Sequence, residues 1–584
     1  MEYKIENITV QSEFGTSATI EKLSNEKRRF IFTWDKGEVC EEPDGSRILL
    51  SWNVPIVDIQ YSWHPDCRLD RRLRVDWESP VVSELSSSAP IYCFYNSSGV
   101  NRYACIASDA VTRIEWNFGV HEEDATILCR LTIDLGVAVR DGRYEITLCE
   151  ITRPLKFGDV LRIASRWWRE ECGYHPMDVP EIGREPFYSC WYSLHQNVTT
   201  ESIELEAKLA KDYGMRTIIV DDGWQTDDNN RGYTYCGDWE VCRNKIPDMA
   251  GHVTKVHKLG MKYMIWFSVP FVGIKSKHWE HFKDKILYYI EPMGAGVLDP
   301  RYKEVRDYLE NIYVGAMKDW NLDGIKLDFI DSFEVKKETA VLNEQMDVPD
   351  LQKAIQRLMT EIKDGIRAVK PDALIEFRQS YIGPAIHTFG NLFRVLDCPC
   401  DPITNRVGII DMRLLGGYSA VHSDMLLWNN ADLPETVANQ IINILFGVPQ
   451  ISVHLENLPE EHKKVLKFWL DFMKKNEKIL QESDLQAGPP QELYPYVIAE
   501  KGRKAIAVIY NENECLELPA SADEIILING TKKESLYIRT FSPLYIRSVK
   551  NCFGEDISST VPFFEIRDLA ALPVPCSGLC LLGR

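Results

Sequence analysis

The sequence predicts an α/β protein: a central (β/α)8 TIM barrel flanked by an N-terminal β-sandwich and a small C-terminal β-sandwich. Three observations carry this. From residue 186 to 488, eight strand-like segments alternate with helix-like ones, the mark of a parallel sheet. Before residue 165 and after residue 489, the chain is a series of short β runs between turn-rich segments. Five of the eight central strands end in ionisable residues, at the end where a barrel carries its active site.

In residues 1–165, the runs Arg29–Trp34, Arg47–Trp52, Pro90–Tyr95, Thr126–Thr132 and Tyr144–Cys149 have the length and spacing of sandwich strands. A connecting helix is expected over Gly158–Cys172, and residues 166–185 are read as a linker helix between the domains. The central strands are read at Phe187–Tyr192, Thr217–Asp222, Lys262–Phe267, Ile325–Ile330, Leu374–Arg378, Leu392–Asp397, Ser419–Asp424 and Pro449–His454. Asp299 before Pro300 reads as the N-cap of a helix, and further helices are expected over Pro349–Val369 and Pro434–Phe446. Eight such units over about 280 residues match the size of a barrel. Tyr496–Ala499, Ala505–Tyr510, Glu524–Ile528 and Gly578–Leu582 are the runs of the C-terminal domain, residues 489–584.

The 584 residues are too many for one core. With 87 acidic against 67 basic side chains, the net charge is −20, which argues against a nucleic-acid partner. No apolar run is long enough for a membrane span, and the N-terminal Met1–Asn7 has no apolar signal region, so a cytoplasmic protein is expected. The 16 cysteines are scattered without a C-x-x-C pair; Cys398 and Cys400, like Cys236 and Cys242, lack partners at zinc spacing. No metal and no cofactor are expected. Gly294-Ala-Gly296 reads as a turn rather than a phosphate loop.

In Gly324–Asp331, Lys326 and Asp328 share one strand face, and burying a lone charge is costly, so this face is an ion pair or a site. The other polar strand ends are Asp221-Asp222-Gly223-Trp224, Asp397 through Asp401, His422-Ser423-Asp424, and His454 through Glu456. Trp191, Tyr192, Trp224, Trp239, Trp266, Phe267 and Trp428 crowd the same ends. Paired carboxylates suit glycoside hydrolysis, and aromatic faces pack on the C–H faces of sugars. The residues leave two other classes open: a metal-dependent barrel hydrolase using His422, Asp424 and His454, and a sugar-binding protein without catalysis.

Asp221-Asp222-Gly223-Trp224, Gly237-Asp238-Trp239 with Asn244–Pro247, Gly260–Trp266 and Lys326-Leu327-Asp328 resemble the α-galactosidase superfamily, closest to glycoside hydrolase family 36. The resemblance implies retaining hydrolysis of terminal α-galactosides, with Asp328 as nucleophile. It matches Asp221 and Asp222 to the pair that binds the 4- and 6-hydroxyls, and Trp266 to the third-strand tryptophan. Trp191, Trp224, Lys326, Arg378, Arg394, His422 and Asp424 complete the expected substrate-binding set. The family's acid/base segment is one residue longer here, and Asp397 takes that role with Asp401 in reserve. Where the family has a glycine-rich loop reading the sugar's 2-position, this chain has Phe377–Pro384, which leaves α-N-acetylgalactosaminidase and raffinose-synthase-like transglycosylase activities as alternatives. The expected partner is a carbohydrate, and family 36 enzymes are often homo-oligomers.

Overall fold

A computed structural model describes residues 2–35, 46–561 and 565–584. Contacts divide it into two compact units. One comprises Met1–Asp178, Gln225–Pro247 and Trp266–Asn391, the other Val179–Trp224, Asp248–Ile265 and Leu392–Arg584.

The N-terminal domain has two six-stranded sheets. In the first, Arg47–Pro55, Thr126–Asp134 and Arg113–His121 lie side by side. In the second, Lys27–Trp34, Arg143–Ile151, Asn101–Ala107 and Ile91–Tyr95 do so. Burial alternates strictly along Thr126–Asp134, as it must when one face meets a core and the other water. Phe30, Ile48, Leu50, Trp116, Leu131 and Ile146 fill that core, and Trp52 Nε1 donates to the Tyr103 hydroxyl at 2.9 Å. All five expected strands are present.

The helix expected over Gly158–Cys172 runs over Phe157–Glu170. Phe157, Val160, Leu161, Ala164, Trp167 and Trp168 are buried on one face, and Trp168 donates to the Ala107 carbonyl. This helix is part of the sandwich's packing, not a spacer. The chain then leaves it at Gly173, whose φ of +81° suits glycine.

The eight central strands are β1 (Phe187–Ser189), β2 (Thr217–Val220), β3 (Lys262–Ser268), β4 (Gly324–Asp328), β5 (Leu374–Arg378), β6 (Leu392–Arg394), β7 (Ala420–His422) and β8 (Gln450–Ile451). They form one parallel sheet in the order β7-β6-β5-β4-β3-β2-β1-β8, and a parallel bridge from His422 to Val448 adds contact between the β7 and β8 regions. This is a near-closed (β/α)8 barrel. β4 is buried along its whole length, which is why its sequence shows apolar residues beside ionisable ones rather than a solvated face.

Two local expectations are corrected. β4 ends at Asp328; Phe329 has φ 63°, and Ile330–Ser332 forms a 3-10 turn, so residues 329 and 330 are not strand. Asp299 is no helix cap. The helix is Lys303–Asp319, and the buried Asp299 carboxylate instead accepts from Arg301 Nε at 3.0 Å and a terminal nitrogen at 2.7 Å, a stronger partner than exposed backbone amides. Helix Leu351–Val369 is capped by Asp350, and Pro434–Asn443 begins with its proline as expected. Gly294 precedes the strand Ala295–Leu298 of a small antiparallel sheet.

In the C-terminal β domain, eight described strands are linked in one hydrogen-bonded network. Its 15-residue strand Leu536–Lys550 has two register shifts, so one end pairs with Glu565–Leu572 and the other with Leu579–Gly583. Ala507, Ile525, Leu527, Ile538 and Leu582 form its core.

β4 meets β5 at Gly324, where an added Cβ would stand 2.2 Å from the Leu374 carbonyl oxygen. Backbone cannot yield there as a side chain can. Gly324→Ala is therefore expected to lower stability by about 1–3 kcal/mol, read as a fall in Tm in differential scanning calorimetry.

Candidate active site

The first group of functional side chains surrounds Asp328, the last residue of β4. Its Oδ1 accepts from Arg378 Nε at 2.7 Å, the Tyr381 hydroxyl at 3.0 Å and the Phe329 amide at 2.8 Å. Its Oδ2 accepts from Trp266 Nε1 at 3.0 Å. β3 supplies Trp266, β5 supplies Arg378, and the turn after β5 supplies Tyr381. The left-handed backbone at Phe329 accompanies the bond from its own amide. Four donors on one carboxylate suit the charged form.

Arg378 also lies 3.7 Å from the Asp331 carboxylate and packs over the rings of Phe329 and Tyr381. Burial pushes the Asp331 carboxyl up, Arg378 pulls it down, and the charge of Asp328 raises it again. Burial, with Asp328 next, holds the Tyr381 hydroxyl far above the usual phenol range, so Tyr381 is a donor at neutral pH. Tyr233 and Trp239 pack against Trp266, and Tyr233 and Phe271 against Phe329. Lys326 is buried on the same strand as Asp328.

The second group lies in the other unit. Arg394, the last residue of β6, is 1% exposed, and its guanidinium reaches two carboxylates: Asp424 at 2.5 Å and Asp397 at 2.8 Å. Asp424 is fully buried and also accepts from the Tyr192 hydroxyl at 3.0 Å and the Cys398 amide at 2.7 Å. The Asp397 side chain is 56% exposed. Asp401 instead caps the helix Pro402–Gly416: it accepts from the amides of Ile403 and Thr404 at 3.1 and 3.0 Å and from the Thr404 hydroxyl at 2.6 Å. Asp222 accepts from Gln196 Nε2 at 2.6 Å, and Asp221 accepts from the Asp222 amide.

Several expected substrate contacts are engaged with protein groups. Trp224 is fully buried, so its faces are covered and it is not an open sugar platform. Trp266 is spent on Asp328, and Arg394 and Asp424 on each other. His422 is fully buried, one ring nitrogen against the Gly183 carbonyl at 2.9 Å and the other against Gln450 Nε2 at 3.2 Å. Burial lowers its pKa to about 3, so the ring is neutral. Trp191 is half-buried and stacks on His195 at 3.8 Å. Among the described residues, no three His, Cys, Asp or Glu side chains are grouped so as to hold a metal ion. The described cysteines are free; Cys40 lies outside the described residues. No helix among the described residues is long and apolar enough to cross a membrane.

Sequence reasoning missed Tyr381, Asp331 and Gln196. Tyr381 had a signal: a tyrosine three residues past the end of a barrel strand, beside Arg378.

Carboxylates at the strand ends of a (β/α)8 barrel are an arrangement that glycoside hydrolysis uses. Residues 184–370 match the melibiase family model. The bifunctional α-galactosidase/sucrose kinase AgaSK of Mediterraneibacter gnavus is 27% identical over 154 residues, 25% of this chain and 16% of that protein. The α-galactosidase AgaA of Geobacillus stearothermophilus is 29% identical over 127 residues, 20% of this chain and 17% of AgaA. The match therefore spans under a fifth of either relative. In three dimensions the likeness covers the whole chain. A family 36 AgaA structure with 1-deoxygalactonojirimycin superposes with a TM-score of 0.65 at 14% identity, over 100% of this chain and 84% of that one. The α-galactosidase of Lactobacillus brevis gives 0.63 at 14%, over 99% and 80%.

Asp401→Ala removes an N-cap and is expected to cost about 0.5–2 kcal/mol, whereas Asp401→Ser keeps an acceptor and most of the stability. Paired urea melts of the two variants check this.

Proposed function

We propose that the protein is a retaining, exo-acting α-glycosidase that hydrolyses terminal α-linked galactosyl residues. The observation that carries this reading is the Asp328 carboxylate, held at the end of β4 by four donors within the stretch that matches the melibiase family.

In the first step a bond from the Asp328 carboxylate to the anomeric carbon forms as the glycosidic C–O bond breaks, and the proton of Asp397 passes to the leaving oxygen. In the second step water attacks the anomeric carbon, its proton passes to Asp397, and Asp328 is released. Asp397 suits this role because its side chain is exposed enough to meet both leaving group and water, whereas Asp401 is spent on a helix terminus. Asp221 and Asp222 accept sugar hydroxyls, as the family resemblance implies, and the half-buried Trp191 offers a ring face.

Structures of AgaA variants in complex with raffinose and stachyose support an oligosaccharide α-galactoside as the substrate class. A cytoplasmic, homo-oligomeric enzyme without metal or cofactor completes the reading.

The test is a panel of aryl α-glycosides, including the α-galactoside and the 2-acetamido analogue, with the first-formed anomer followed by NMR. Hydrolysis of the α-galactoside with retention is expected, and its loss in both Asp328→Asn and Asp328→Ala. Cleavage of no α-glycoside overturns the proposal. Asp397→Ala should lower kcat/KM about 10²–10⁴-fold for poor leaving groups and far less for a 2,4-dinitrophenyl glycoside, which needs no proton. Tyr381→Phe removes a donor to a charged acceptor and should lower kcat about 10- to 100-fold with KM little changed, measured by steady-state kinetics.

A further inference from the structure

Between β3 and the helix Lys303–Asp319 the chain makes a small antiparallel sheet of Phe271–Gly273, Ala295–Leu298 and Ile286–Ile290. Neither step of the proposed hydrolysis uses this sheet. Its contacts point to the residue after the nucleophile. Phe329 is left-handed at φ 63°, a region that side chains with a Cβ disfavour. Such a residue persists only where its surroundings over-determine it. We propose that Tyr233 and Tyr288 are positioning residues which, with the small sheet, hold the turn Phe329–Ser332 in the shape that keeps the Phe329 amide on Asp328. This rests on the reading of Asp328 as the nucleophile.

The peptide between Asp328 and Phe329 is fixed on both sides. Its carbonyl accepts from the Val269 amide at 3.0 Å, and its N–H donates to Asp328 Oδ1 at 2.8 Å. With that plane fixed, φ at Phe329 decides where its ring and the rest of the turn go. Conversely, if Phe329 relaxed to negative φ with its ring and the turn in place, the peptide would have to rotate, carrying the N–H off the carboxylate.

The ring is held. It meets Tyr233 edge to face at 5.3 Å between centroids and the buried Phe271 at 4.9 Å, and the Arg378 guanidinium lies over it at 5.4 Å. The far end of the turn is held as well. The Tyr288 hydroxyl donates to the Ser332 carbonyl at 2.7 Å, and the Ser332 amide donates to the Phe329 carbonyl at 2.9 Å. Burial, with the charges of Glu334 and Asp331 adding, pushes the Tyr288 hydroxyl up to about 12, so it donates at neutral pH. Tyr233 is itself seated on the small sheet. Its amide donates to the Met293 carbonyl at 3.3 Å, and the next carbonyl, of Thr234, accepts from the Lys275 amide at 2.8 Å. Gly273 passes so close to that Thr234 oxygen that a Cβ would stand 2.1 Å from it. The sheet thus seats Tyr233 and supplies Phe271 and Tyr288 directly.

Tyr233→Ala removes one wall of the ring's seat. It should lower kcat on the aryl α-galactoside about 10- to 100-fold with KM little changed, because the nucleophile is misplaced while the substrate still binds. Tyr233→Phe keeps the wall and should recover most of that loss. Tyr288→Phe deletes one oxygen and should lower kcat less than Tyr233→Ala. Glycine adopts a left-handed φ without penalty, so in a Phe329→Gly background Tyr233→Ala should add little, the mark of a residue that acts through Phe329. Independently of turnover, the Phe329 amide signal in protein labelled with ¹⁵N-phenylalanine, assigned by its loss in Phe329→Gly, should lie at low field because its acceptor is charged. It should move to higher field in Tyr233→Ala and in Tyr288→Phe, where every ring is retained and ring currents do not account for the shift. If it moves so while the wild type cleaves no α-glycoside, the clamp stands and the glycosidase reading falls. If Tyr233→Ala does not fold, Tyr288→Phe decides alone. An unmoved amide signal in the folded variants, additive losses with Phe329→Gly, or a rise in KM without loss of kcat overturns the proposal.

Discussion

The structure depends most on the burial of one charge. Asp328 sits at the end of a strand with no solvent face, and a carboxylate there is tolerable only if its lone pairs are met. They are met by β3 through Trp266, by β5 through Arg378, by the following turn through Tyr381 and by the chain's own next amide. Each donor fixes a neighbour: slip β5 by one residue and Arg378 would point to the opposite face. The constraint reaches the sandwich in the same unit. The Ser88 amide donates to the Ser380 carbonyl at 2.6 Å, and Gly383 passes so close to the Ser88 carbonyl oxygen that a Cβ would stand 2.7 Å from it. The turn that carries Tyr381 is thus braced by the N-terminal domain, which gives that domain a part in holding the carboxylate.

Much of this architecture was legible in the sequence because buried parallel strands leave a strong signature. All eight central strands were found, since short apolar runs rich in Ile, Val, Leu and Phe between amphipathic helices have few other readings. Asp328 was legible for the related reason that a charge amid such a run demands explanation. What failed were judgements of reach. Asp299 resembled a cap because cap statistics are local, whereas its partner, Arg301, is a side chain whose direction no pattern reveals. Trp224 follows two polar residues yet turns inward. Arg394 and Asp424 were read as substrate-binding residues, whereas their contact with each other joins positions 30 residues apart. A single sequence does not show which of several polar residues face a ligand and which face one another.

The turn after β5 shows how far the chemistry constrains the sequence. The family resemblance leads one to expect a glycine-rich loop there, whose backbone lies close to the sugar. This chain has Arg378, Gln379 and Tyr381 instead, and two of those three side chains donate to Asp328. A bulky side chain can enter such a turn only if its polar end finds a partner, and the nearest unsatisfied acceptor is the carboxylate itself. Replacing small residues by donors therefore need not undo a site of this kind, provided the new donors converge on the charge that must be buried. The fixed requirement is the number and direction of the hydrogen bonds reaching Asp328. The chain keeps the fold of its structural neighbours at 14% identity.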